Sequence, residues 1–125
     1  MSYALFIDDE RFPVEDGRDW EIARTMNDVS EIIARRGAPG FISFDHDLGE
    51  NEPTGYDIAK ALVEADISAR EGGFSALGNS DAILPASLDF RFLQGFRFYV
   101  HSQNPVGARN IQLYLEGYLN LLGRD

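Results

Sequence analysis

At 125 residues, 44% of them hydrophobic and nine of them Phe, the chain is long enough to bury one core and too apolar to be disordered, so one domain is expected over residues 1–125. No run approaches the roughly 18 apolar residues of a membrane span, no basic and apolar leader is recognisable, and zero Cys exclude disulfides and thiolate metal sites, so a soluble, cytoplasmic protein is expected. The 21 acidic against 11 basic residues give a formal charge of -10, which disfavours non-specific binding to DNA and leaves two uses for the acid excess: a well-solvated surface, or a surface that imitates nucleic acid to occupy a basic protein partner.

In chain order, "YALFID" at 3–8 is a short apolar run ending in Asp8, Asp9 and Glu10, the pattern of a strand buried on both faces with acids at its carboxyl end. Pro13 and Gly17 mark the loop that follows, and "WEIARTM" at 20–26 alternates as a second strand. Asn27 is placed to cap a helix in which Val29, Ile32 and Ile33 recur at helical spacing and Gly37 is the stop. "FISFDHDLG" at 41–49 reads as a third strand running into Asp45, His46 and Asp47. Thr54 and Asp57 form a capping box for the next helix, with Ile58, Ala61, Leu62 and Ala65 on one face and Gly72 and Gly73 as the stop. The stretch 74–95 is irregular and long for a loop in a compact domain, so an inserted segment with a short helix or hairpin is expected there. A fourth strand at 96–101 and a terminal helix, with Asn104 as cap and Pro105 at its first position, complete the chain.

Strands alternating with helices imply a mainly parallel four-stranded sheet, and ligands of such sheets bind outside the carboxyl ends of the strands. That rim collects Asp8 and Asp9 from the first strand, Asp45, His46 and Asp47 from the third, and His101, Ser102 and Asn104 from the fourth. Taken singly, each acid can be a turn former or helix cap. Taken together, ionised carboxylates from separate segments cost free energy unless a cation or a hydrogen-bonded partner compensates. Asp8, Asp9 and Asp45 or Asp47 are the candidate ligands of a hard divalent ion such as Mg2+, and the imidazoles admit a softer one such as Mn2+ or Zn2+. His46 and His101, the only two His residues, are candidate acid-base groups. "HSQNPVGARN" adds a helix start with Gly107 and Arg109, suited to a phosphate.

"LFIDDERFP", "FISFDHDLG" followed by "TGYDIAKAL", and "VHSQNPVGARNI", in that order, resemble the cyclic-phosphate processing receiver-like domains, relatives of response-regulator receivers. The resemblance implies a flavodoxin-like three-layer α/β sandwich. It also implies that Asp8 and Asp9 match the receiver metal-binding acids, Asp45 the phospho-accepting Asp and Ser102 the hydroxyl residue after the fourth strand. His46 and Asp47 depart from an ordinary receiver, no fifth strand with its Lys follows, and the link from the first to the second strand is short for a helix. Phosphorelay signalling is thereby disfavoured.

The expected function is a metal-dependent phosphoesterase, using Mg2+ or Mn2+, that opens a cyclic phosphate on a nucleotide or a 2',3'-cyclic RNA end. The acids hold the metal and its water, Asp45 with His46 or His101 does the chemistry, and Ser102, Asn104 and Arg109 hold the substrate. Two alternatives stand beside it: a non-enzymatic receiver-like binding or regulatory module, and an acidic decoy for a nucleic-acid enzyme.

Overall fold

Four short strands and three helices follow one another as β1 (Ala4–Ile7), β2 (Trp20–Ala23), α1 (Met26–Arg36), β3 (Phe41–Phe44), α2 (Gly55–Arg70), β4 (Arg97–Val100) and α3 (Pro105–Leu121), in a computed structural model that describes residues 3–49, 52–70 and 90–123. The strands form one sheet of order β2-β1-β3-β4, every pairing parallel, with Ala4 opposite both Trp20 and Phe41 and with Phe41 opposite Arg97. This is the parallel α/β architecture expected from the alternation of apolar runs and amphipathic segments. Among the described residues, no helix is long and apolar enough to cross a membrane.

Local chemistry accounts for the element ends. Thr54 and Asp57 close the capping box in both directions, at 2.9 and 3.1 Å, and Asn104 Oδ1 accepts from Gly107 N at 3.0 Å with Pro105 opening α3. The cap of α1 is Thr25, not Asn27: its extended backbone leaves the hydroxyl free to accept from Asp28 N at 3.2 Å, while the Asp28 carboxylate accepts from Arg24 N at 2.9 Å. Because Thr25 and Arg24 are engaged in that turn, β2 stops at Ala23 rather than running on to Met26. Gly37 closes α1 with φ at 82°, where a side chain would be strained.

The two faces of the sheet differ. Leu5, Ile7, Ile42 and Phe44 belong to one core cluster with Val29, Ile32 and Ile33 of α1, Ile58 and Leu62 of α2, and Ile111 and Leu115 of α3. All three described helices therefore pack on one face. Handedness explains it: the connections from β2 across β1 to β3, and from β3 to β4, run in one direction, so right-handed crossovers place both helices on the same side. The β1–β2 connection runs the other way and belongs on the opposite face. That connection is the helix-free segment 8–19, whose residues Arg11, Phe12, Pro13 and Val14 line a cavity with Phe6 over the second face. The third layer of this sandwich is thus a loop.

Of the 74–95 stretch, 90–95 is described: Phe90 and Phe92 are buried, with ring centroids 5.0 Å apart. Buried Asp66 of α2 ties it down, accepting from Phe92 N at 3.1 Å and from Arg70 Nε at 2.8 Å, and from the Tyr118 hydroxyl of α3. The expected stop at Gly72 and Gly73, and 74–89, lie outside the described residues.

Candidate functional site

At the carboxyl ends of β1 and β3 the chain direction reverses from one side of the sheet to the other, which is where parallel sheets open a crevice for ligands. Asp8 follows β1 directly and is 0% exposed. Its Oδ1 accepts from the backbone N–H groups of Glu10 at 2.9 Å and Arg11 at 2.8 Å, a turn typical of Asp. Its Oδ2 faces His101 Nε2 at 2.9 Å and Arg11 Nε at 3.4 Å. Burial pushes this carboxyl up, but the two N–H groups, His101 and Arg11 outweigh it and hold the pKa below the usual carboxylate range. Asp8 is therefore an anion at neutral pH.

Asp45 follows β3 and is also buried; its N–H bonds to Ile7 O at 2.9 Å, and its Oδ1 accepts from His46 N at 2.8 Å. Gly55 packs so closely on the Asp45 carbonyl that any Cβ there would collide with backbone. The α2 start is thereby pressed against the strand end, with Gly55 N bonded to His46 O at 2.8 Å.

His101 follows β4 and its N–H bonds to Phe44 O at 2.9 Å, so it extends the β3–β4 ladder. Both ring nitrogens are held: Nε2 by Asp8, and Nδ1 by Ser43 Oγ at 2.7 Å. The ring stacks on Phe6, 4.6 Å between centroids and 4° from parallel. Asp8, Asp45 and His101 each place one ligand atom within 4.8 Å of the others, and this group could hold a metal ion. Ser43 fits that use, because a ligating His needs its second ring N–H accepted by a neighbour, which fixes tautomer and orientation.

Three of the other predicted residues, His46, Asp47 and Asn104, form a second set. His46 Nδ1 lies 2.9 Å from Asp47 Oδ1, and Asn104 Nδ2 lies 3.5 Å from both side chains. The His46 hydrogen bond, with a smaller contribution from Asn104, holds the exposed Asp47 carboxyl below its usual range. With Nδ1 turned to an anion, His46 Nε2 makes no hydrogen bond to any described residue. Gly107 at the start of α3 abuts the His46 ring so tightly that a Cβ would overlap it. Asp9 and Arg109 are brought into neither set; both are exposed, and Arg109 forms no ion pair with a described residue. Ser102 Oγ accepts from Asn104 N at 3.0 Å, a turn contact that leads into the cap of α3.

Sequence reasoning missed Ser43, Arg11 and Phe6. A signal existed for Ser43: in "FISF" it is the one polar residue, and period-2 alternation puts it opposite Ile42 and Phe44, on the face the helices leave uncovered. Ser43 and His101 line the cavity on that face, whose volume is about 910 Å³.

One family model, the cyclic-phosphate processing receiver domain, matches residues 3–76, more than half of the 125 residues, and the chain belongs to that family. The match spans β1 through α2 and includes Asp8 and Asp45, whereas His101 and α3 lie beyond it. Neither a curated protein nor a solved structure matches the chain.

Proposed function

With membership of the cyclic-phosphate processing receiver family as premise, we propose that the protein is a metal-dependent phosphoesterase that hydrolyses a cyclic phosphodiester. The observation that carries the reading is the convergence of Asp8, Asp45 and His101 within 4.8 Å at the β1/β3 crevice. Asp8, Asp45 and His101 would hold a divalent cation, Mg2+ or Mn2+, the carboxylates favouring the first and the imidazole the second. Such a cation, when bound, polarises a phosphoryl oxygen and lowers the pKa of water.

The protein groups divide the remaining work. Hydrolysis adds the hydroxyl of water to phosphorus and breaks one ring P–O ester bond; the water loses a proton and the departing ring oxygen gains one. His46 is suited to that proton traffic, since Asp47 holds its Nδ1–H and leaves the Nε2 lone pair unbonded. His101, with both nitrogens engaged, is suited to ligation and orientation instead. Arg11, whose Nε already faces Asp8, replaces Arg109 as the phosphate-binding guanidinium, while Asn104 keeps the His46–Asp47 pair in register.

The test is turnover of cyclic mononucleotides, cyclic oligonucleotides and RNA bearing 2',3'-cyclic ends, with Mg2+ or Mn2+. Ring opening that disappears with a chelator and in Asp45→Asn supports the reading. Metal-dependent binding without turnover would favour a receiver-like binding module. No metal effect, together with capture of a basic protein that survives Asp45→Asn, would favour the decoy.

A further inference from the structure

The cavity beside His101 has a composition that the proposed ring opening does not require. It opens over the sheet face left without a helix, where Phe6, Ser43, Trp20, Phe41 and Tyr99 line it, and extends past the edge strand β4 to residues of α3. Soluble proteins seldom leave several large apolar side chains exposed around one hollow without a ligand to cover them. Here Phe12 is 73% exposed, Val14 75% and Tyr99 61%, and all three line it. Arg18 already covers Phe41, its guanidinium 4.4 Å from the ring centroid, and Arg24 covers Phe12 at 4.8 Å. Tyr99 differs: it has neither a ring nor a cation stacked on it among the described residues.

Charge narrows the occupant. In a chain of net charge -10, the cavity wall holds Arg11, Arg18 and Arg97 against Asp16 and Glu116; Arg18 pairs with Asp16 and Arg11 faces Asp8, which leaves Arg97 paired with no described acid. An anion with an aromatic body fits that wall. Strand geometry puts Arg97 and, just past the end of β4, His101 each two residues from Tyr99, so all three side chains point to one face at steps of about 6.6 Å, and the proposed rim site lies on the His101 side. A planar group on Tyr99 would place its anionic end beside His101 and Arg11, and Gln112 and Asn120 of α3, which also line the wall, offer donors and acceptors to its edge. The volume of about 910 Å³ is within the range of small-molecule sites, roughly 300–1,000 Å³.

We infer that this cavity is a nucleobase subsite, and that the substrate is a single nucleotide bearing a cyclic phosphate, its base stacked on Tyr99 and its phosphate turned towards His101 and Arg11. This rests on the phosphoesterase reading for the role of the phosphate end, but not for the binding of the base. The overall negative charge argues against the longer polyanion of an RNA strand.

Binding without catalysis tests it. Trp20, the only Trp of the chain, lines the cavity and reports occupancy by fluorescence. With a chelator present, adenosine 2',3'-cyclic phosphate is expected to quench Trp20 saturably and to bind at least about 10-fold more tightly than glycerol 1,2-cyclic phosphate, which has no base. Tyr99→Ala is expected to erase that advantage and Tyr99→Phe to keep it. Equal affinity for the two compounds, no saturable binding of the nucleotide, or an unchanged advantage in Tyr99→Ala would overturn the subsite. Tighter binding of a hexaribonucleotide with a cyclic end than of the mononucleotide would overturn the single-nucleotide occupant. A subsite that binds nucleotide in a protein without turnover would leave this inference standing and remove the phosphoesterase reading. Turnover with no preference for a base would do the reverse.

Discussion

Leu5 and Phe6 are neighbours in β1, both nearly inaccessible, and they serve opposite faces of the sheet. Leu5 lies in the cluster that three helices close, where each fully buried Leu, Ile or Phe contributes about 1.5–3 kcal/mol of transfer free energy. Phe6 lies under His101 on the face where a helix-free segment leaves a cavity. The same alternation of side chains thus builds a dry core on one side and a lined hollow on the other, and the difference originates in the short β1–β2 connection. Stability should be concentrated on the covered face and ligand chemistry on the open face and its rim.

Substitutions at the rim should separate the two most sharply. His46→Ala is expected to lower kcat about 100-fold to 10,000-fold with little change in KM, as for loss of a positioned acid or base, while the melting temperature stays near wild type. Arg11→Ala should act mainly on KM. Steady-state kinetics on whichever cyclic phosphate the wild type opens check both, and small, equal effects would return the rim to a structural role.

On the covered face the pattern should invert. Leu62→Ala, at a 0% exposed core position, is expected to cost about 2–5 kcal/mol in urea unfolding, whereas Tyr99→Ala on the open face should stay within about 0.5 kcal/mol. Comparable losses at both positions would show that the open face is also core. Gly107→Ala falls between them: its Cβ collides with the His46 ring, and an overpacking cost of about 1–3 kcal/mol should appear together with reduced turnover.

A further effect is confined to alkaline pH. Burial pushes the Tyr3 hydroxyl, which donates to Gly37 O at 2.7 Å, up to about 12 from 10.0. The folded state therefore retains a proton that the unfolded state releases above pH 10, and stability should fall as pH rises from 10 towards 12. Tyr3→Phe should flatten that part of the unfolding profile; an unchanged slope would mean that other groups set it.

Much of this was legible in local chemistry. The Thr54–Asp57 capping box, the Asn104–Pro105 start of α3 and the acids closing β1 and β3 are short-range patterns, and the structure realises them as read. Thr25 displaced Asn27 as a cap because both are cap-forming types two residues apart, and the choice depends on where β2 ends. The site was legible as a rim but not as a group. Asp9, next to Asp8, was indistinguishable from it in sequence; in the fold Asp8 turns inward to His101 and Asp9 outward to solvent. Arg11 meets Asp8 locally, three residues away, whereas Ser43 and Asp8 reach His101, 58 and 93 residues away, only through the β1–β3–β4 pairing, which no local pattern encodes.

The central claim is that Asp8, Asp45 and His101 form one cation site, and calorimetric titration with Mn2+ addresses it most directly. One saturable site is expected in the wild type, absent in Asp45→Asn and in Asp8→Asn but retained in Asp9→Asn, with the melting temperature rising with metal by mass action. No heat of binding and no melting shift at millimolar Mn2+, or a site that survives Asp45→Asn, would contradict the account.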